Sequence, residues 1–300
     1  MGFFFLCLLY NKSMKDTTID LVIPYVNNND LIWRKSYVNF CTRNNLREKI
    51  VDMLGDRYGG IDFIYYQLQL VKKNMPWVNK IYLLLSNQEQ IIPSLLPQNC
   101  EIVLHEEFIP YQFLPTFNST TIEMFLWNIP KLSEKFIYAN DDMLPTMPLK
   151  PSDFFYGNKI KIKWQTQDFH QRCNVFGYHC MNNVKAICEK LKISYEKDKI
   201  FKPIHSFTPM IRLHCKEAFD LIKDKIIPHI RAFRTQYQYN QYIYPLYEYY
   251  KYGTLDSKID FHYTELDKDF DLKHQIVCVN AEKKKDYIEQ FKKEIRELCA

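Results

Sequence analysis

Several features that would mark common protein classes are missing from this sequence. Glycine is scarce, at 7 of 300 residues, and no internal repeat or low-complexity linker interrupts the chain. The net charge of +5 is mild and spread along the chain, so a nucleic-acid partner is not expected, while an anionic substrate or membrane surface is compatible. The apolar residues 2–9 are too few to span a bilayer and lack the basic lead and cleavage site of a signal peptide.

Cysteine is present without the spacing that gives it a structural role. The count of 9 is odd and no Cys-x-x-Cys pair occurs, which indicates neither a disulfide framework nor a ribbon-type zinc site. His170, Cys173, His179 and Cys180 lie close in sequence, but their spacing fits no standard zinc knuckle. We therefore expect a reduced, cytoplasmic protein, with the inner face of the membrane as a site of peripheral contact.

Apolar segments and helical patterns alternate along the first half of the chain. Hydrophobic residues make up 47% of the sequence, enough for a large core. Strands separated by helices predict an α/β fold, a Rossmann-like, mainly parallel sheet flanked by helices, with a helix-rich C-terminal half completing the site. We expect residues 1–17 to be a tail and 18–300 one catalytic domain. The predicted strands are Ile19–Val26, Lys80–Leu85, Glu101–Leu104, Phe136–Tyr138 and Gln275–Val279.

The helical patterns have start and stop signals of their own. Thr120 and Glu123 have the spacing of a capping box, which predicts a helix from this point through Trp127. Further helices are predicted through Trp33 and Tyr37 and over Ile61–Lys73, Asn182–Leu191, Cys215–Lys225, Tyr237–Tyr252 and Lys283–Leu298.

Three polar residues, Asn140-Asp141-Asp142, directly follow the predicted strand that ends at Tyr138. Two adjacent carboxylates after a buried strand cost stability unless a positive group neutralises them. At the carboxyl end of a strand in an α/β sheet, that group is usually a metal ion or part of a ligand site. A polar, solvated turn is the alternative reading for an isolated Asp-Asp pair.

Four segments together resemble the Stealth family, which includes bacterial capsule phosphotransferases and N-acetylglucosamine-1-phosphotransferase. The second segment is the longest and the most specific, whereas in the fourth the expected acidic residue is Ala281. The segments are Ile19–Asp30, Arg57–Phe155, His205–Pro209 followed by Phe233-Arg234 and Asn240-Gln241, and Cys278-Val279-Asn280.

The resemblance implies transfer of a sugar 1-phosphate from a nucleotide sugar, such as a UDP-hexose or UDP-N-acetylhexosamine, to a hydroxyl of an acceptor glycan or lipid-linked glycan. A nucleoside monophosphate would leave, and the product would belong to capsule or lipopolysaccharide. Asp141 and Asp142 would hold Mg²⁺ or Mn²⁺ and neutralise phosphoryl oxygens. His205 would act as base or nucleophile, and Arg234 would grip the diphosphate through its fork.

The resemblance also implies a set of substrate-binding residues. Asp20 and Asn27 are expected at the mouth of the first strand, where nucleotides lodge in such sheets. Arg57 either lines the donor site or forms a structural salt bridge, and Glu123 is expected to complete the capping box. The whole predicted set is Asp20, Asn27, Arg57, Asn140, Asn240, Gln241 and Asn280.

Two other functions fit part of the pattern. A metal-dependent nucleotide-sugar glycosyltransferase would also use an acidic motif beside a Rossmann-like sheet, but it would release a nucleoside diphosphate. A non-catalytic glycan-binding relative would have no need of Asp141, Asp142, His205 and Arg234 together.

Overall fold

A central five-stranded sheet organises the molecule. The computed structural model describes residues 18–54, 63–266, 269–280 and 287–300. Within these residues the strands are β1 Ile19–Pro24, β2 Ile81–Leu85, β3 Cys100–Leu104, β4 Lys135–Tyr138, β5 Met143–Leu144, β6 Phe155–Tyr156, β7 Lys159–Ile162, β8 Trp164–Asp168, β9 Lys199–Pro203, β10 Thr208–Ile211, β11 Leu255–Asp256, β12 Phe261–Glu265 and β13 Ile276–Asn280.

The central sheet is mainly parallel, as the sequence predicts. Its order is β10-β4-β1-β2-β3, and the pairs β1–β2, β1–β4 and β2–β3 all run parallel. Only β10 runs antiparallel, along the outer side of β4. The carboxyl ends of β1, β2 and β4 therefore share one edge of the sheet, and ligands bind at this edge in open α/β sheets.

Helices cover both faces of the sheet. The described α-helices are α1 Leu31–Arg43, α2 Arg47–Leu54, α3 Phe63–Asn74, α4 His105–Phe108, α5 Ser119–Glu123, α6 Pro151–Phe154, α7 Val175–Leu191, α8 Arg212–Ile226, α9 Ile243–Lys251 and α10 Ile288–Cys299. None of the helices in the described part of the chain is long and apolar enough to cross a membrane.

Alternate strand residues are sorted into two cores. Leu21 and Ile23 of β1 belong to the core that α3 covers, whereas Val22 between them belongs to the core formed with α7, α8 and α9. This alternation follows from the two-residue period of a strand, and both sets are apolar because both faces are covered. The continuous apolar run of β1 is thus the signature of a strand that is buried on both sides.

The predicted strands are confirmed, with small changes in their bounds. β1 ends at Pro24, two residues before the predicted end, and β13 begins at Ile276. The later helices differ more. Helix α7 starts at Val175, where Asn174 caps it, and the tyrosine-rich helix is shortened to Ile243–Lys251.

The capping box predicted at Thr120 is wrong. Asn118 is the N-cap of α5, and its side-chain oxygen accepts a hydrogen bond from the backbone of Thr120. Asparagine is among the best N-cap residues, so the N-cap lies two residues earlier than predicted, and Thr121 rather than Glu123 occupies the third helical position. The helix also ends at Glu123, well short of Trp127.

Candidate active site

The loop Asn140–Asp142 lies where β4 ends at the carboxyl edge of the sheet. Gln67 of α3 holds this loop from below, because its Nε2 donates to the carbonyl oxygens of Asn140 and Met143, both at 2.7 Å. Gln67 is fully buried. The helix that packs under β1 and β4 thus fixes the backbone that presents the two aspartates.

Strand β10 brings His205 to the same place. Thr208 pairs with Tyr138 in the antiparallel register of β10 and β4, so the residues before Thr208 lie beside those after Tyr138. His205 Nε2 is 3.4 Å from Nδ2 of Asn140. Two segments far apart in sequence meet here through strand pairing alone.

Strand β13 adds the last segment in the same way. Cys278 pairs with Met143 of β5, and the backbone N–H of Val279 donates to the carbonyl of Asp142 at 3.0 Å. A side-chain atom from each of Asp142, His205 and Cys278 then lies within 4.8 Å of the other two. Among the described residues this is the one group of three or more acidic, histidine or cysteine side chains close enough to share a metal ion.

The carboxyl of Asp141 is destabilised in its charged form. Burial, and then the neighbouring charge of Asp142, raise the pKa of Asp141 to about 7. In the described part of the chain, no lysine or arginine forms an ion pair with Asp141. A bound cation would offset both effects, since it would favour the two charged carboxylates.

His205 is held on its other side by a tyrosine. Nδ1 lies 2.9 Å from the hydroxyl of Tyr242, which is itself buried. Burial, and then the charges of Lys202 and Arg172, lower the pKa of His205 to about 4, so the ring is neutral near pH 7. With the Asn140 amide donating to Nε2, the ring proton lies on Nδ1, which donates to the Tyr242 hydroxyl, and the lone pair of Nε2 points toward Asn140.

The donor set suits a hard divalent cation. Carboxylate oxygens are the ligands that Mg²⁺ and Mn²⁺ prefer, and Asp142 provides one within this group, with Asp141 next to it in the chain. Burial, and then the charge of Asp142 and a hydrogen bond to it, raise the pKa of the Cys278 thiol well above its usual range. The thiol therefore stays protonated and donates to Asp142, which orients that carboxylate.

Glu123 and Arg234 form a second polar group near the site. The Glu123 carboxylate accepts hydrogen bonds from the Tyr138 hydroxyl at 3.2 Å and from the backbone N–H of Gln241 at 3.0 Å. Arg234 donates to Ser119 Oγ at 2.6 Å. Burial raises the pKa of Glu123, while the charge of Arg234 opposes that effect. Arg234 is exposed, so its guanidinium is accessible to a ligand.

Asp20 does not lie at the site, contrary to the prediction. It is the second residue of β1, at the amino end of the strand, and is fully buried. Its carboxylate accepts from Asn79 Nδ2 at 2.9 Å and from the backbone N–H groups of Lys80 and Ser133 at 3.2 and 2.7 Å. The motif itself is placed correctly, but Asp20 stands at the wrong end of its strand to meet a nucleotide.

Asn240 also has a structural position. It is buried, and its Oδ1 accepts from Asn183 Nδ2 and from the backbone N–H of Tyr242. Asn240 thereby orders the residue that holds His205. The neighbouring Gln241 is buried and donates its backbone N–H to Glu123. Both residues thus support the site from within the protein.

The remaining predicted residues fall into three positions. Asn27 lies beyond the carboxyl end of β1, and its Nδ2 donates to the carbonyl of Gln90 at 3.4 Å. Asn280 ends β13 and donates to the Tyr263 hydroxyl at 2.8 Å. Arg57 lies outside the described residues.

Three buried residues near the site are not predicted from the sequence to belong to it: Glu123, Lys202 and Tyr242. Tyr242 follows Asn240-Gln241 directly, and Lys202 precedes His205 by three residues, so proximity to the quoted motifs was the only available signal. Cys278 belongs to the fourth segment, but its sequence context predicts no role for it.

A known protein family matches the part of the chain that carries the two aspartates. Residues 57–163 match the family Stealth protein CR2, conserved region 2. This segment is similar to Stealth conserved region 2. The resemblance to the Stealth family is therefore confirmed, and the matched region includes β2, β3, β4 and the loop that carries Asp141 and Asp142.

Curated relatives match a larger part of the chain. Capsular polysaccharide phosphotransferase LcbA from Neisseria meningitidis is 39% identical over 229 residues, which cover 74% of this chain and 62% of that protein. Capsular polysaccharide phosphotransferase WcwK from Streptococcus pneumoniae is 40% identical over 179 residues, covering 59% and 51%. The chain spans about three fifths of the length of the first relatives that it matches.

One further relative and one solved structure complete the comparison. Receptor polysaccharide phosphotransferase WefC from Streptococcus gordonii is 39% identical over 141 residues, covering 46% of this chain and 41% of that protein. The crystal structure of galactosyltransferase LgtC with donor and acceptor sugar analogs aligns over 93% of this chain and 95% of its own, with 11% identity and a TM-score of 0.38. The α/β fold itself rests on the parallel strand pairing described above.

Proposed function

We propose that this protein transfers a sugar 1-phosphate from a nucleotide sugar to a hydroxyl of an acceptor glycan, in the synthesis of a surface polysaccharide. The observation that carries the proposal is the meeting of Asp142, His205 and Cys278 at the carboxyl edge of the sheet, beside Asp141 in the same loop. The match to Stealth conserved region 2, and relatives named as capsular polysaccharide phosphotransferases, support it. The donor is proposed to be a UDP-hexose or UDP-N-acetylhexosamine.

Phosphoryl transfer requires positioned groups and neutralised charge rather than much covalent chemistry from the protein. Asp141 and Asp142 would hold Mg²⁺ or Mn²⁺. When bound, the cation would neutralise charge on the oxygens of the donor's diphosphate. Gln67 keeps the loop of the two aspartates in place, and Cys278 orients Asp142 through its thiol.

His205 is proposed to act on the acceptor hydroxyl or on phosphorus. The neutral ring has a lone pair on Nε2 that points toward Asn140, and once a substrate displaces this 3.4 Å contact the lone pair can accept the hydroxyl proton or attack as a nucleophile. Tyr242 holds Nδ1 and thereby fixes the ring orientation. Base and nucleophile remain the two forms of this proposal.

Arg234 is proposed to bind the diphosphate. A guanidinium forms two parallel hydrogen bonds with phosphate oxygens, which an ammonium cannot reproduce. Its contact with Ser119 and the charge of Glu123 keep the side chain on the α5 side of the site.

Product analysis with a panel of nucleotide sugars tests the proposal. The purified protein, an acceptor glycan and Mg²⁺ are incubated with each donor, and nucleoside monophosphate and diphosphate are separated by chromatography. We expect monophosphate release, together with a phosphodiester signal in the phosphorus NMR spectrum of the glycan product. Release of diphosphate with a phosphate-free glycosidic product would contradict the proposal and support a glycosyltransferase.

A further inference from the structure

Lys202 is a buried cation without an acidic partner among the described residues. Only 2% of the residue is exposed, and its Nζ donates to the carbonyl of Pro203 at 3.1 Å. Burial lowers the pKa of Lys202 to about 8, so the amine is still mostly charged at neutral pH. A buried ammonium that lacks a carboxylate is costly, and proteins rarely keep one without a use.

Two aromatic rings connect this ammonium to His205. Nζ of Lys202 lies 5.5 Å from the ring centroids of both Phe176 and Tyr242. The Tyr242 hydroxyl is hydrogen-bonded to His205 Nδ1, and the ring centroids of Phe176 and His205 are 6.5 Å apart. The charge is therefore placed directly behind the histidine of the proposed active site.

Arg172 adds a second cation over one of these rings, that of Phe176. Its guanidinium carbon lies 4.8 Å from the Phe176 centroid. The side chains of Arg172, Phe176 and His205 are half-buried and reach the surface, whereas Lys202 lies beneath them. Arg172 Nη1 has one hydrogen bond, a long contact of 3.4 Å to Gln167 Oε1, which leaves its other donors available to a ligand.

The local backbone is built to keep Arg172 there. Arg172 ends a short turn, and Asn174 caps the helix α7 that starts at Val175. A Cβ atom on Gly177 would lie 2.0 Å from the carbonyl oxygen of Arg172, so only glycine permits this close approach of the turn to the helix. Strand β9 positions Lys202 through its antiparallel pairing with Gln165 of β8.

We propose that Arg172 and Lys202 form an anion site beside His205 that binds a phosphate oxyanion of a substrate. Arg172 would contact the oxyanion at the surface through charge-assisted hydrogen bonds, and Lys202 would supply positive charge from below. Lys202 belongs to β9 and lies over the Tyr242 ring, and Arg172 belongs to the turn that precedes α7. Neither residue is part of the Stealth segments given above. The identification of the ligand as a substrate phosphate rests on the proposed function.

Calorimetric binding to the full chain tests this site without any turnover. The variants are Lys202→Met and Arg172→Gln, with Lys197→Met as the matched control, because Lys197 is exposed and precedes the same strand. The first probe is UDP, which represents the donor diphosphate. The second is a phosphodiester that joins glucose to a methyl group, which represents a phosphodiester in the acceptor. Mg²⁺ is kept constant in every titration.

We expect the affinity for one probe to fall at least about 10-fold in both site variants and to remain unchanged in Lys197→Met. A loss confined to UDP assigns the site to the donor, and a loss confined to the diester assigns it to the acceptor. Unchanged affinity for both probes in Lys202→Met and Arg172→Gln would overturn the anion site.

Thermal unfolding separates this role from a structural one. Replacing a buried, unpaired charge by an apolar side chain of similar length should keep or raise the melting temperature of Lys202→Met. A lower melting temperature with unchanged probe affinity would make Lys202 a packing residue and contradict the proposal. Arg172→Gln carries the same binding test at a half-buried position, where folding is less at risk.

The outcomes are independent of the reaction that the protein catalyses. Release of nucleoside diphosphate would reject sugar 1-phosphate transfer and leave a measured anion site intact. Release of monophosphate with unchanged probe affinities would reject only the anion site.

Discussion

The carboxylates at the two ends of the central sheet have opposite environments. At the amino end, Asp20 accepts three hydrogen bonds from Asn79, Lys80 and Ser133. At the carboxyl end, Asp141 and Asp142 stand side by side, and burial together with the charge of Asp142 raises the pKa of Asp141 to about 7. The first acid is stabilised by three hydrogen-bond donors, whereas burial and a neighbouring carboxylate disfavour the charged form of Asp141.

The difference in environment distinguishes Asp20 from Asp141 and Asp142 more clearly than the difference in burial does. Asp20 is the more buried residue, yet its environment is complete. Perturbed acids concentrate at functional sites because a site must bind charge that the empty protein does not fully stabilise. Matched substitutions at the two ends of the sheet test this difference.

The largest expected effect is loss of turnover at the carboxyl end. Asp142→Asn and Asp141→Asn should each lower kcat by about 1000-fold, because stabilisation of transition-state charge by a held cation is worth several kcal/mol. Both variants should fold normally, since like-charge repulsion is relieved. Steady-state release of nucleotide measures the effect, and near-normal kcat in both variants would remove the aspartates from the chemistry.

The next effect concerns the residue that β10 brings to the same edge. His205→Ala should lower kcat by about 100-fold or more while donor affinity is largely kept, since the loss falls on proton transfer or attack. His170→Ala is the matched control, because His170 is an exposed histidine on a surface turn. A His205→Ala enzyme with near-normal kcat would leave this histidine a structural residue.

The sequence is informative about the parallel strands and much less so about what joins them. β1, β2 and β4 are predictable because each is a short, buried, largely apolar run followed by polar residues. β3, at the edge of the sheet, is half-buried over most of its length. β10 contains Pro209, which argues against a strand, but the edge position tolerates it. The antiparallel pairings of β10 and β13 are non-local, so the approach of His205 and Cys278 to Asp142 follows from the fold alone.

The site residues show the same division. Asp141, Asp142 and His205 are predicted from their motifs, and the structure brings Asp142 and Asn140 close to His205. Asp20 was misplaced because a motif gives residue order but not which end of a strand faces the ligand. Tyr242 and Lys202 carry no local pattern, since a buried tyrosine or lysine beside a histidine is a product of packing.

A smaller effect should appear at the amino end, in stability rather than turnover. Asp20→Ala removes an acceptor of three hydrogen bonds and leaves buried donors unpaired, which should cost about 2–3 kcal/mol in the free energy of unfolding. Asp198→Ala, at an exposed position, is the control. Urea unfolding measures the cost, and kcat per folded molecule should be unchanged. Loss of kcat without loss of stability would return Asp20 to the active site.

The last expected effect is a pH dependence of stability in the metal-free protein. The pKa of Asp141 is raised from 3.8 to about 7, so the folded state binds more protons than the unfolded state between these values. Unfolding free energy should therefore fall as pH rises from about 4 to about 7. Asp141→Asn should remove this part of the slope, as measured by urea unfolding in chelator. An identical slope in the variant would contradict the assignment.

Cation binding tests the contrast between the two ends most directly. Mn²⁺ is titrated by calorimetry in the presence of UDP into the wild type and into Asp142→Asn and Asp20→Asn. We predict that the wild type and Asp20→Asn bind Mn²⁺ with similar affinity and that Asp142→Asn binds it at least about 10-fold more weakly, because it lacks one carboxylate ligand. Equal Mn²⁺ affinity in Asp142→Asn and the wild type would contradict a cation site at the carboxyl end of the sheet.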